Sequence, residues 1–241
     1  MKVHVEPVSA IVMDIEGTTS SARHVYEVLF PYARAAMATW VEQHGDEPVT
    51  RKAIAEVAEQ LGVESTDTAA IVAQLVQWID DDVKAAPLKT LQGLIWQEGY
   101  SRGELTSHMF DDVPPTLRTW HIAGIPLVIY SSGSVAAQKA LFAHAPDGDL
   151  DSLIGANFDI TTAGPKRERD SYTRIAQALN AKPEQLLFLS DIQAELDAAR
   201  AAGWQVVGVL REGETQATAS GAPLISSFTE LEVLPASEPD C

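Results

Sequence analysis

Cysteine is almost absent: the chain has one, Cys241, at its last position. No internal disulfide can form, and neither a thiol nucleophile nor a cysteine-bound zinc is expected. Basic residues are scarce too, 17 Lys and Arg against 34 Asp and Glu, for a formal net charge of −17. Nucleic acid and anionic membrane surfaces need basic patches, so neither is an expected partner. An anionic small molecule is not excluded, because one lysine and a metal can set the field inside a cleft. No apolar run approaches the roughly 18 residues of a membrane span. The first residues lack the basic region and apolar core of a secretory signal, so the cytoplasm is the expected location. What remains is an ordinary globular composition, 241 residues with 46% apolar and 21% charged. That is enough for one full core with a smaller satellite domain, and a monomer is expected.

The stretch that organises the rest is Ile11-Val12-Met13-Asp14-Ile15-Glu16-Gly17-Thr18-Thr19. Small and branched apolar residues from Val8 to Met13 read as a buried strand. It stops at two carboxylates two positions apart, then at a glycine and two hydroxyls. Alternation along extended chain sends Asp14 and Glu16 the same way, at the sheet edge where α/β proteins bind ligands. Two crowded carboxylates there suggest a hard cation, since like charges this close raise each other's pKa. A surface strand followed by an acidic turn is the plain alternative.

Residues 23–110 read as helical throughout. Val25, Val28, Leu29, Tyr32, Ala36, Met37 and Trp40 keep three-and-four spacing, with Pro31 marking a kink or a boundary. Further stripes follow at Ile54–Leu61, ended by Gly62, and at Ile71–Ile79, capped by Asp67 or Thr68. A last stripe runs from Leu88 to Trp96 and ends near Gly99. This block reads as an inserted all-helical cap with its own core, to which Trp40, Trp78 and Trp96 are expected to contribute. Beyond it, helix and strand alternate. A helix opens at Asp112 and runs through Trp120, and a strand spans Ile125–Tyr130. A helix follows at Val135–Ala143, then a short strand near Phe158–Ile160 and a helix over 171–180. Then come a strand at 186–189, a helix from Gln193 to Ala202 and a strand over 206–210. The fold class is therefore α/β, a doubly wound parallel sheet built from residues 1–22 and 111–235. The chain beyond Leu234 is expected to be loose, with 236–241 a tail.

Three strands end in complementary chemistry. One ends at Asp14 and Glu16, one at Ser131-Ser132-Gly133 before a helix, where hydroxyls and free N–H groups hold phosphate. The third ends at Asp191, and Gly164-Pro165-Lys166 adds a lysine on a loop before a helix. Taken singly, the serines are helix caps, Lys166 a solvated lysine and Asp191 an N-cap. Taken together at strand ends, they make a phosphoryl-transfer set.

Asp14-Ile-Glu-Gly-Thr, Tyr130-Ser-Ser-Gly-Ser, Gly164-Pro-Lys and Phe188-Leu-Ser-Asp191 resemble, in order, the four motifs of the haloacid dehalogenase superfamily. Glu at the second acidic position is similar to the superfamily's enolase-phosphatases. So are Val28-Leu-Phe-Pro-Tyr-Ala33, Leu91-Gln-Gly-Leu-Ile-Trp96, Glu98-Gly-Tyr and Gly103-Glu-Leu. The likeness covers residues 8 to 212, and the polar Ser20-Ser-Ala-Arg-His24 departs from it. It implies a Rossmann-like core with a helical cap after the first strand, and a magnesium cofactor. It implies Asp14 as nucleophile and metal ligand, and Glu16 as general acid/base giving its backbone carbonyl to the metal. Ser131, Ser132 and Lys166 then bind the substrate, and Asp191 is the remaining metal ligand. The implied activity is enolisation of 2,3-diketo-5-methylthiopentyl-1-phosphate followed by dephosphorylation to the acireductone, in methionine salvage. The enolisation base is open between Glu16, His24 and Glu98, as is the part of Glu195. A magnesium-dependent phosphatase acting on another small phosphate ester is the alternative.

Overall fold

The structure, a computed structural model, describes residues 2–214 and 221–236. Its strands are β1 (Val3–His4), β2 (Ala10–Met13), β3 (Leu127–Tyr130), β4 (Ile154–Phe158), β5 (Leu186–Ser190), β6 (Gln205–Val209), β7 (Leu224–Ile225) and β8 (Leu231–Glu232). Six of them form one parallel sheet in the order β4-β3-β2-β5-β6-β7, and β1 pairs with β8 apart from it. The chain winds from β2 out to β4, then returns to the other side of β2 for β5 and β6. The carboxyl end of β2 therefore lies where the winding reverses, the place where doubly wound sheets leave a crevice.

All four residues of β2 are buried, because helices cover both faces of a parallel sheet. Alternation divides them between two cores. Ile11 and Met13 pack with Leu127, Ile129, Leu187 and Leu189 on one face. Ala10 and Val12 pack with Val128, Tyr130, Leu186 and Phe188 on the other. The expected α/β class with parallel strands is the one observed.

Several sequence expectations need correcting. The strand placed near 158–160 is β4 at 154–158. Asp159 accepts the N–H groups of Thr161 and Thr162, both at 2.9 Å, so the chain turns there. β4 escaped notice because Gly155 and Asn157 are weak strand formers on a half-buried edge. β3 starts at Leu127, since Pro126 has no N–H for the ladder. The end of the chain is not loose from Leu234: Pro235 bridges Val8, and Ala236 N–H donates to the Val8 carbonyl at 2.7 Å. The rest of the expected tail, 237–241, lies outside the described residues.

The chain divides into two compact units, Met1–Ala22 with Ser107–Cys241, and Arg23–Thr106. Residues 107–110, expected with the helical insert, belong with the sheet, where Phe110 N–H donates to Thr19 O at 3.1 Å. The second unit is helical. Its helices are Phe30–His44, Pro48–Leu61, Thr68–Asp80 and Ala86–Ser101, around Ala33, Met37, Val57, Ile71, Leu75 and Leu91. Trp40, Trp78 and Trp96 pack against this core from its rim and are only partly buried. Pro31 breaks nothing: a π-helical turn at Val25–Leu29 runs directly into the first of these helices, and the proline sits in its opening turn. Asp67, not Thr68, is the cap, accepting the N–H of Ala70 at 3.1 Å. Gly99 lies within the last helix. A Cβ there would come to 2.8 Å of the Tyr32 ring, so this glycine serves packing, not termination.

Candidate active site

β2 delivers Asp14 to the crevice. Its N–H donates to Leu189 O of the neighbouring strand at 2.9 Å, and its Oδ1 accepts the N–H of Ile15 at 2.8 Å. The chain then turns sharply, with the N–H groups of Thr18, Thr19 and Ser20 all directed to the Ile15 carbonyl. Gly17 makes the turn possible. Its φ is +72°, and a Cβ would lie 2.4 Å from Asp191 Oδ2. Because the chain leaves extended geometry after Met13, strand alternation no longer relates Asp14 to Glu16. Asp14 is 4% exposed, whereas Glu16 is half-buried and forms a backbone bridge with Ser20.

Lys166 is buried, against the plain expectation of a solvated loop lysine. Its Nζ lies 2.5 Å from Asp14 Oδ1 and 2.7 Å from Glu195 Oε2. The loop carrying it is pinned from several sides. Tyr130 Oη donates to Gly164 O at 2.7 Å, Ser171 Oγ to Pro165 O at 2.8 Å, and Tyr172 Oη to Lys166 O at 2.8 Å. Burial alone would push the Lys166 ammonium down. The charges of Asp14 and Glu195 and hydrogen bonds to both outweigh it, so the pKa is raised and the group stays charged.

Asp191 ends β5 beside them, and its N–H donates to Thr18 Oγ1 at 3.1 Å. Burial, then the charge of Asp14, push its carboxyl up to about 7. Glu195, in the first turn of the helix Gln193–Ala201, is raised in the same way, while Lys166 and the Ser190 hydroxyl oppose the shift. Two buried carboxylates, Asp14 and Glu195, thus share one ammonium, and a third, Asp191, lies beside Asp14. That surplus of negative charge, with oxygen donors alone, suits a hard divalent cation. Among the described residues no three His, Cys, Asp or Glu side chains are grouped to hold a metal. Magnesium commonly takes one or two carboxylates and keeps several waters, so Asp14 and Asp191 fit it.

The serines stand at the end of the adjacent strand. Met13 is level with Ile129, which puts Ser131 one residue beyond the level of Asp14. Ser131 is buried, its N–H donating to Phe158 O at 3.2 Å and its Oγ accepting Gly133 N–H at 3.3 Å. Ser132 is half-buried. The helix cap is Ser134, so neither Ser131 nor Ser132 is used for that purpose. The side chain of Gln138, 1% exposed, donates to the carbonyls of Gly133 and Phe158, both at 2.9 Å.

Asp14, Lys166 and Glu195 are thus in direct contact, with Asp191 against the Asp14 turn and the serines placed by register. Gln138 and Arg211 carry no signal in the sequence, and Thr18 stands in the organising stretch as a hydroxyl without an assigned part. Glu195 stands four residues after Asp191 on an opening helix, likewise without an assigned part.

A model of the haloacid dehalogenase-like hydrolases matches residues 8–203. Enolase-phosphatase E1 of Frankia alni is 52% identical over 92% of this chain and 94% of its own. Enolase-phosphatase E1 of Pseudomonas aeruginosa is 44% identical over 94% of this chain and 99% of its own. The chain belongs to the haloacid dehalogenase-like hydrolases, in their enolase-phosphatase E1 family. Among solved structures, the yeast UTR4 protein superposes with a TM-score of 0.77 at 32% identity, over 92% of this chain and 98% of that one. CbbY of Rhodobacter sphaeroides, solved in complex with phosphate, shares the fold at a TM-score of 0.58 and 18% identity, over 92% of this chain and 96% of its own. No helix among this chain's described residues is long and apolar enough to cross a membrane.

Proposed function

We propose that this chain enolises 2,3-diketo-5-methylthiopentyl-1-phosphate and then removes its phosphate to leave the acireductone, a step of methionine salvage. It does so in the cytoplasm, as a monomer, on a small phosphate without nucleic acid or membrane. The observation that carries the reading is the buried contact between the Asp14 carboxylate and the Lys166 ammonium at the end of the central strand, 2.5 Å apart. Its support in sequence is the family of its relatives.

Phosphate monoesters resist hydrolysis so strongly that enzymes acting on them reach accelerations up to about 10²¹. A protein does this by aligning a nucleophile with phosphorus and neutralising the outer oxygens. Asp14 attacks phosphorus through a carboxylate oxygen, a P–O bond to Asp14 forms, and the bond to the enol oxygen breaks. Glu16 gives that oxygen its proton. Glu16 then takes a proton from water, whose oxygen attacks phosphorus, releasing phosphate and restoring Asp14. Lys166 and the hydroxyls of Ser131 and Ser132 hold the phosphate oxygens throughout, and Glu195 keeps the ammonium of Lys166 in line. Magnesium, held by the carboxylates of Asp14 and Asp191 and the backbone carbonyl of Glu16, supplies the remaining positive charge when bound. In the earlier enolisation Glu16, the base we assign to it, takes the proton from the phosphate-bearing carbon beside the carbonyl. The electron pair forms the C–C double bond, and the carbonyl oxygen takes a proton from solvent. The proton that Glu16 later takes from water returns to solvent and restores the base.

The test supplies a 2,3-diketo-1-phosphate analogue and follows ultraviolet absorbance and free phosphate together. The conjugated enol absorbs where the diketone does not, so the two steps give separate signals. The expected record is an enol signal that rises first, with phosphate following. Asp14→Asn keeps the enol signal and lowers phosphate release by at least about 10³-fold. Glu16→Gln lowers both; an enol signal that survives it moves the base to another residue. Phosphate release from simple esters with no enol from the diketone would instead leave a plain phosphatase.

A further inference from the structure

Arg211 lies two residues beyond β6 and is 4% exposed. Its Nε donates to the Thr18 carbonyl at 2.9 Å, and its Nη1 to Asp112 Oδ1 at 2.7 Å and to Ser226 O at 3.1 Å. The guanidinium sits between two rings, 4.4 Å from Phe110 and 4.9 Å from Phe228. The other oxygen of Asp112 accepts the N–H of Phe228 at 2.6 Å, so carboxylate and ring hold each other in place. A charge buried this deeply loses much hydration, and paired charges are often no more stable than apolar residues in their place. Arg211 also leaves Nη2 buried without a hydrogen-bond partner among the described residues. The orientation it keeps is the one that brings Nε to Thr18.

Thr18 has two ends. Its carbonyl takes the bond from Arg211, and its hydroxyl accepts Asp191 N–H at 3.1 Å and lies 3.4 Å from Asp191 Oδ1. The Asp191 carboxylate has no slack on that side, since it rests against Gly17. A second anchor sits three residues after Arg211. Glu214 accepts the N–H of Ala22 at 3.1 Å and the hydroxyl of Ser21. The segment after β6 therefore grips the turn that follows Asp14 at Thr18 and again just past it, at Ser21 and Ala22.

We propose that Arg211 is a positioning residue for the metal site, fixing the Asp191 carboxylate through Thr18. The proposal rests on the reading of Asp14 and Asp191 as metal ligands. Magnesium demands near-ideal octahedral geometry at about 2.0–2.1 Å, so a small displacement of one carboxylate weakens binding. Partners of metal ligands typically carry about 10–100-fold in affinity.

The test titrates the metal-free protein with magnesium chloride in a calorimeter and, separately, measures melting temperature with and without the metal. Thr18→Val keeps the shape and removes the hydroxyl; Thr18→Ser restores it. Arg211→Lys keeps the charge and loses the planar fork that reaches Thr18 and Asp112 together. Asp191→Asn is the control on the site itself. The expected result is magnesium affinity weakened about ten-fold in Thr18→Val and Arg211→Lys, and near wild type in Thr18→Ser. The magnesium needed for half-maximal phosphate release should rise in step, with kcat at saturating metal within about three-fold. Should Arg211→Lys fail to fold, Thr18→Val decides. Wild-type magnesium affinity in a folded Thr18→Val overturns the proposal, and so does a fall in kcat at unchanged affinity. If Asp191→Asn weakens binding while Thr18→Val does not, only the proposal falls. If wild-type protein takes up no magnesium, the metal reading falls and takes the proposal with it.

Discussion

At the scale of single residues, the carboxyl of Asp191 is held up to about 7 by burial and by the charge of Asp14. The folded chain therefore keeps a proton there between about pH 4, where an unfolded aspartate loses it, and pH 7. Stability falls wherever the folded state binds more protons than the unfolded one and the pH is rising. The contribution of Asp191 is thus fully present below about pH 4 and lost as pH climbs through 7. Glu195, raised mainly by burial and by Asp14, acts in the same direction. One pKa unit corresponds to about 1.4 kcal/mol, so the loss from Asp191 amounts to a few kcal/mol at most. Asp191→Asn cannot ionise and escapes it. In magnesium-free buffer this variant should melt close to wild type at pH 4.5 and roughly 5–10 °C higher at pH 8, given about 2–4 °C per kcal/mol at this size. With magnesium in excess at pH 8, wild type should recover the difference. Parallel melting curves from pH 4.5 to 8 would mean that Asp191 is not held protonated by its surroundings.

At the scale of elements, the helix Val135–Ala143 does more than follow the serine loop. Gln138 reaches back from it to the carbonyls of Gly133 and Phe158, while Asn157 Nδ2 donates to its Oε1 at 3.2 Å. Gln138→Leu keeps the volume, takes the donor from the Gly133 carbonyl and the acceptor from Asn157 Nδ2, and leaves the Phe158 carbonyl with Ser131 N–H alone. The cost is about 1–3 kcal/mol for each buried group left unpaired. The expected outcome is a lower melting temperature together with a rise in substrate KM larger than the fall in kcat. Ser131 and Ser132 would then hold a substrate whose loop has loosened. An unchanged KM in a folded variant would separate the loop from phosphate binding. Gln138 also shows what the chain conceals. β2, β3 and β5 were legible because unbroken apolar runs stop at charged or hydroxyl side chains, and Asp14, Ser131 and Asp191 came with them. Lys166 was legible as a residue, but its burial was not. That follows from Tyr130, Tyr172 and Ser171 pinning its loop through backbone carbonyls, which leaves no mark in periodicity. Thr18 and Asp191 are 173 residues apart, and Arg211 and Thr18 are 193 apart. Pairings of that kind exist only once the sheet order is known. The three insert tryptophans do pack against the insert's core, as their spacing suggests, but only partly buried, because a ring N–H needs a partner. Trp96 Nε1 finds Leu29 O at 2.8 Å and Trp40 Nε1 finds Thr50 Oγ1 at 3.3 Å, both from the rim.

At the scale of the whole chain, two compact units carry separate cores, and the chain passes between them only twice, after Ala22 and after Thr106. The candidate metal ligands Asp14 and Asp191 both belong to the sheet unit, at the ends of adjacent strands. A ligand that binds only the folded state stabilises by RT ln(1 + [L]/Kd), about 2.7 kcal/mol at a hundred-fold excess over Kd. That energy goes to whatever opens together with the site. Ile11, Val12, Met13 and Leu187–Leu189 share the two cores that flank β2, so their amides should all report it. The insert's core of Met37, Val57, Ile71 and Leu75 includes no residue of the sheet unit. Hydrogen exchange with and without saturating magnesium separates the possibilities, because exchange reads local and subglobal opening directly. The expected pattern is slower exchange through β2, β5 and the turn at residues 14–20, by up to about 100-fold at a hundred-fold excess over Kd. Amides in Pro48–Leu61 and Thr68–Asp80 should exchange at the same rate with and without the metal. Equal protection in those helices would show that the chain opens as one cooperative unit, and protection in neither would remove magnesium from the crevice at the end of β2.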